Sequence, residues 1–323
     1  MGELFASTLT QMAFLFTLII IGYLLVKFRC LPETAATALS KLENIVLVPA
    51  LIMGTFMNNF TPSTLSTAWK LLVMSLGLGL LSMPLAFFLG KLCFKDEFER
   101  KFGAYGLMFS NFGFMGNAVV NALFPQIFME YVIFTIPFWT LAYVWGVPVL
   151  LIPHGEEKNK LKGTLKRLAN PMFICLLIGA FVGITQLKLP KFVGLVVADA
   201  GKCMSPIAMI LTGIMVARID LKALLLKWRV YLLSVIRLLV FPLLFILIFA
   251  LIPQNSFVTE VFLMSGVCLM AMPTGLTPVF LPSAYGVDTT AAAELALVSH
   301  VLSIVTIPAI FVIFQSVFQL GIF

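Results

Sequence analysis

Charge is scarce in this chain of 323 residues. Asp, Glu, Lys and Arg together make up 11%, and His occurs only at His154 and His300. A soluble domain carries roughly a quarter charged residues, so a water-exposed globule is excluded. The five cysteines, Cys30, Cys93, Cys175, Cys203 and Cys268, contain no CxxC pair. Neither a disulfide framework nor a metal site follows from that spacing, and they read as small apolar side chains. No nucleophile stands with a base in a recognisable constellation, which argues against an enzyme. Met1-Gly2-Glu3 lacks the basic start of a cleavable signal. Ser7 falls one position beyond the spacing that myristoylation of Gly2 requires.

Apolar residues fill the space that charge leaves. They make up 61% of the chain, and the mean hydropathy is +1.09. Runs long enough for a span of about 20 residues fall near 7–28, 36–57, 67–92, 101–124, 130–152, 170–187, 191–217, 228–252, 258–282 and 289–315. The expectation is an all-α polytopic membrane protein of ten helices in a single membrane domain. Residues 1–153 and 169–323 form its halves, and 154–168 form a short basic linker. Lys and Arg orient it, because cytoplasmic loops retain them. With the N-terminus outside, 16 basic residues sit at inner ends and 3 at outer ends, so both termini face outward in a multi-pass cell-membrane protein. The net charge of +7 then reflects topology, and no nucleic-acid partner is implied.

Two apolar stretches are interrupted at matching places. Asn111-Phe112-Gly113-Phe114-Met115-Gly116-Asn117 breaks one, and Met272-Pro273-Thr274-Gly275-Leu276-Thr277-Pro278 breaks the other. Asn111 and Pro273 are 162 residues apart, Pro49 and Pro206 are 157 apart, and Pro148 and Pro308 are 160 apart. These intervals suggest a duplicated unit, and five helices per unit would insert the second copy inverted relative to the first. A broken helix frees backbone groups, which a membrane protein tolerates only inside protein or beside a watery cavity. The restarting half-helix offers unpaired N–H groups and the positive end of its dipole, a good receptor for a carboxylate. Asn111, Gly113, Gly116, Asn117, Pro273, Thr274 and Gly275 are therefore the candidate binding residues. The competing reading is that glycine and proline merely kink lipid-facing helices, or that the asparagines bond to neighbouring helices.

Ionisable residues within spans each cost roughly 2.5 to 3.5 kcal/mol at a helix centre and need partners. Arg237, in the eighth span, either attracts the substrate's charge or pairs with a buried carboxylate. Glu43 and Asp199 precede Pro49 and Pro206 by six and seven residues; they are candidates for proton or cation coupling, or for local ion pairs with Lys41 and Lys202. Glu294 has no basic residue within four positions, which leaves it to hold a proton or meet Arg237. His300 either titrates near neutral pH or bonds between helices.

Lys166-Arg167-Leu168-Ala169-Asn170-Pro171 leads into Leu177-Ile178-Gly179. Ser205-Pro206-Ile207-Ala208-Met209 is followed by Gly213. Met272-Pro273-Thr274-Gly275 precedes Tyr285-Gly286-Val287-Asp288 and Pro308. Taken in order, this set resembles the auxin efflux carrier family, which is distantly related to the bile acid/sodium symporters. The resemblance implies two inverted five-helix repeats whose fourth and ninth helices are broken and cross at the substrate site. It also implies transport of organic anions such as malate, malonate or auxin-like acids. No cofactor is expected beyond a coupling H+ or Na+; the partners are the anion and membrane lipid, and homodimerisation stays open. A sodium-coupled bile-acid-type symporter and a non-transporting membrane sensor are the alternatives. In two places the chain departs from the family: Asn117 and Ala118 follow Gly116 where a proline is frequent, and Thr274 stands where plant members carry glutamine.

Overall fold

The computed structural model describes residues 2–32, 34–93, 96–151, 171–217, 221–284 and 286–318; the linker expected at 154–168 lies outside them. Among these residues the chain is helical, with no strand and a single isolated bridge. The first half contains α1 (Gly2–Lys27), α2 (Ala35–Leu42), α3 (Val48–Asn59), α4 (Pro62–Cys93), α5 (Glu97–Met108), α6 (Asn117–Leu123) and α7 (Phe128–Leu141). The second contains α8 (Pro171–Thr185), α9 (Lys191–Val216), α10 (Leu221–Leu225), α11 (Trp228–Val235), α12 (Phe241–Ala250), α13 (Glu260–Ala271), α14 (Thr277–Ala284) and α15 (Thr290–Phe318).

Six helical stretches among the described residues are long and apolar enough to cross a membrane: Ala35–Asn59, Ala68–Cys93, Pro125–Leu151, Lys191–Val216, Trp228–Ala250 and Thr290–Phe318. Shorter apolar helices cover Ala13–Lys27, Pro171–Thr185 and Glu260–Ala271. The segments expected at 101–124 and 258–282 are interrupted, by Phe109–Asn111 and by Met272–Leu276. Proline explains much of the remaining irregularity. Its ring clashes with the carbonyl four residues back and has no N–H to donate. A widened π turn moves that carbonyl aside, and π segments precede Pro49 (Glu43–Leu47) and Pro242 (Ile236–Val240) and enclose Pro148 (Ala142–Leu151).

Large apolar side chains face outward on α4 (Leu81, Phe88), α8 (Phe181), α9 (Phe192, Leu195) and α12 (Leu247), as a protein solvated by hydrocarbon requires. The interior is built from α13, which is buried continuously from Phe262 to Ala271, together with α7 and the region around Tyr105–Phe112. Small residues set the closest approaches between helices. A Cβ on Gly213 of α9 would lie 1.9 Å from the Ile19 carbonyl oxygen of α1, and one on Gly22 of α1 would lie 2.0 Å from that of Ile210 in α9. On α8, Gly179 and Gly183 stand in the same relation to Met53 and Phe56 of α3.

Candidate functional site where two broken helices meet

α5 ends at Met108 and α13 at Ala271, and the chain beyond each meets the other. Asn111 N–H donates to the Pro273 carbonyl at 2.7 Å, and Gly275 N–H donates to the Phe109 carbonyl at 3.0 Å. Ser110 and Thr274 thereby form an antiparallel bridge. A shift of 164 positions exchanges these two bonds with each other, so the junction is self-complementary. Glycine at 275 is required sterically, since a Cβ there would sit 2.9 Å from the Phe109 carbonyl oxygen.

The half-helices restart on the far side of the bridge. Asn111 caps the first: its carbonyl accepts from the Met115 and Gly116 N–H groups, and its side-chain oxygen lies 3.5 Å from Met115 N. The turn that follows is the π segment Phe112–Gly116, continued by α6. Leu276 plays the corresponding part for α14, accepting from Val279 and Phe280. Both restarts open onto one small cavity. Its wall comprises Tyr105, Phe109, Ser110, Asn111, Phe112, Gly113, Trp139, Ala142, Tyr143, Gly275 and Thr277, and it encloses about 20 Å³, room for roughly one water. Positive ends of two peptide dipoles thus converge on a pocket lined by hydroxyl, amide and aromatic groups.

Asn111 is fixed from outside the junction. Ala296 presents a carbonyl 2.7 Å from His300 Nδ1, so that nitrogen carries the proton. His300 Nε2 therefore accepts from Asn111 Nδ2 at 2.9 Å. The same logic orients Thr274. Ser299 donates its single hydroxyl proton to the Ala296 carbonyl at 3.1 Å, so Thr274 Oγ1 donates to Ser299 Oγ at 2.8 Å. His300 is accordingly an interhelical hydrogen-bonding residue that holds the first break in place, and Thr274 is tied to α15.

Arg237 is buried, and its partners are carbonyl oxygens. Nε donates to Met272 at 3.1 Å, Nη1 to Leu107 at 2.9 Å and Nη2 to Leu269 at 3.0 Å. Ser110 Oγ also donates to Leu269 O, at 2.8 Å. The last turns of α5 and α13 each leave carbonyls without intrahelical donors, and one guanidinium serves both. Its charge also meets the negative ends of two dipoles. It contacts no carboxylate among the described residues.

The remaining candidates separate clearly. Gly113 lies on the cavity wall against the Trp139 indole, while Gly116 makes room for the Tyr131 phenol, which donates to the Phe112 carbonyl at 3.0 Å. Asn117 is off that wall, and its side-chain oxygen is buried without a partner. Asp199 and Lys202 form an exposed pair at 3.0 Å. Glu294 does not meet Arg237. Its Oε1 bonds Lys227 Nζ at 2.6 Å, beside a cavity of about 290 Å³ that also includes Glu99 and Arg229. Glu43 is fully buried, and neither of its oxygens has a partner. Sequence reasoning missed Tyr105, Tyr143, Trp139, Thr277 and Ser299. The available signal was the rarity of tyrosine: the chain has six, and two of them line this cavity. A larger cavity of about 380 Å³ between α4 and α12 has, apart from Ser82, an apolar wall, suited to hydrocarbon rather than to an anion.

Compared with known proteins, residues 7–311 match the family described as membrane transport protein. No individual characterised protein matches the chain. The match covers nearly every described helix and both breaks, and the chain belongs to this membrane transport family, which is the auxin efflux carrier family.

Proposed function

We propose that the chain is a secondary carrier of small organic anions, carboxylates of the malate or malonate type, working by alternating access. The observation that carries this reading is the convergence of two half-helix N-termini on one polar cavity inside an otherwise apolar bundle. Free N–H groups and positive dipole ends favour a carboxylate there. At about 20 Å³ the cavity is too small for a dicarboxylate, so binding requires the crossing to loosen. A carrier that closes around its site between inward and outward states has that property. The self-complementary junction and the recurring intervals of about 160 residues support two repeats of five helices, inverted relative to each other, with α5–α6 and α13–α14 as the crossing pair. The same packing recurs across the repeats: α1 rests on α9 and α8 on α3 through paired glycines. On this reading both termini face outward.

Ligand-dependent thermal stability tests the site. A bound anion stabilises the native state by mass action, about 2.7 kcal/mol at a hundredfold excess over Kd. A panel of mono- and dicarboxylates should therefore contain at least one stabilising member. Asn111→Ala and Thr277→Val should weaken that ligand, because each removes a polar group from the wall, at about 1–3 kcal/mol per lost partner. Thr274→Val, which is off that wall, should weaken it less. Unchanged affinity in the first two variants would place the anion elsewhere.

A further inference from the structure

Glu43 begins the π segment between α2 and α3 and is 0% exposed. Its two carboxyl oxygens and the neighbouring Asn44 Oδ1 are all buried without a hydrogen-bond partner. The same turn clasps the second broken helix. Ser40 Oγ and Asn44 Nδ2 both donate to the carbonyl of Phe280 in α14, the latter at 3.1 Å. On the other side Glu43 lies within electrostatic range of Tyr143, whose ring lines the crossing cavity.

Other charges are poorly placed to help it. α9 packs on this segment, but its Asp199 and Lys202 are exposed and spent on each other, and its Cys203 is exposed. α8 brings only Cys175, and α2 brings Lys41, which is exposed. The described parts of α3 and α14 carry no titratable side chain. A lone carboxylate sealed from water and from any cation is prohibitively costly, and such a group neutralises instead. Na+ would demand a fuller oxygen shell than one carboxyl and one amide supply. A proton demands none, and it turns one orphaned carboxyl acceptor into a donor.

We propose that Glu43 is the proton-carrying residue of this carrier, neutral while the Ser40–Asn44 clasp on α14 is closed and ionised when the clasp opens to water. The carboxylate takes up one proton from the side that is open, keeps it through closure and releases it on the other side; no bond of the transported anion changes. Movement of α14, one of the two crossing helices, is thereby linked to protonation. This rests on the carrier reading above and adds the coupling ion to it.

The test has one arm with substrate and one without. Proteoliposomes with the membrane potential clamped at zero are given a one-unit pH difference and labelled malonate. One proton per cycle sustains about tenfold accumulation, since a pH unit and a tenfold ratio are the same free energy. The wild type should accumulate malonate, whereas Glu43→Gln should still exchange labelled for unlabelled malonate but not accumulate it. In the second arm, infrared spectra of the protein alone near neutral pH should show a protonated-carboxyl C=O band that Glu43→Gln lacks. Accumulation retained by Glu43→Gln, or an unchanged carboxyl band, overturns the proposal. If malonate is not moved at all, the carrier reading fails for that anion, and the infrared arm still decides the protonation of Glu43. Should the glutamine variant not fold, Glu43→Asp replaces it: a shifted pH profile is expected, and a wild-type profile refutes the assignment.

Discussion

Replacing Arg237 by alanine separates two roles that a buried cation in a carrier can have. Three hydrogen bonds disappear with the guanidinium. Leu269 O keeps the bond from Ser110 Oγ, so the loss falls on the carbonyls of Leu107 and Met272. Bonds from a charged donor contribute about 1.5–3 kcal/mol each, which gives about 3–6 kcal/mol for two. Relief of the buried charge's desolvation offsets part of this and brings the net toward the lower end. A loss of about 3 kcal/mol is a large share of the 5–15 kcal/mol typical of a native fold. Heating purified protein and following the monodisperse fraction should show Arg237→Ala unfolding roughly 5–10 °C below wild type. Arg237→Lys keeps the charge but cannot span three carbonyls with one ammonium, so it should fall between them. Were Arg237 instead a receptor for the anion's charge, the alanine variant would melt like the wild type and lose only ligand stabilisation. That outcome would refute the capping role.

Gly213→Ala should destabilise the α1–α9 contact strongly, because its Cβ would lie 1.9 Å from a backbone oxygen; a melting temperature within a degree or two of wild type would mean the two helices are not held this closely. Single cysteines in a Cys-free background should be labelled from outside at Asn58 and Gln254 and from inside at Lys160. Labelling of Lys160 from outside would invert the topology and remove the basis for the outward-facing termini.

The helix breaks were legible because glycine, proline and asparagine are costly inside an apolar run unless the backbone opens there. That the two breaks meet was less legible, since the exchanged bonds between Asn111 and Pro273 and between Gly275 and Phe109 involve backbone atoms that no side-chain pattern announces. Arg237 illustrates the same limit. Its partners are carbonyls, which every residue has, so a search for a complementary carboxylate could not find them. Glu294 has no base close to it in sequence, but Lys227, 67 positions away, reaches it when α11 packs on α15. Tyr105 and Tyr143 escape a sequence reading because a helix wheel does not tell which face of a fully buried helix meets a cavity. The π segments were hidden as well, although the prolines that accompany three of them were in plain view.

Counterflow of labelled dicarboxylate in proteoliposomes tests most directly whether this chain carries anions through the crossing. Vesicles preloaded with unlabelled malate or malonate should transiently concentrate the labelled anion under wild-type protein, and Asn111→Ala, with its folding verified, should slow that exchange at subsaturating substrate. Labelled anion that enters no faster than into protein-free vesicles, across every carboxylate that binds, would contradict the carrier and leave a membrane sensor in its place.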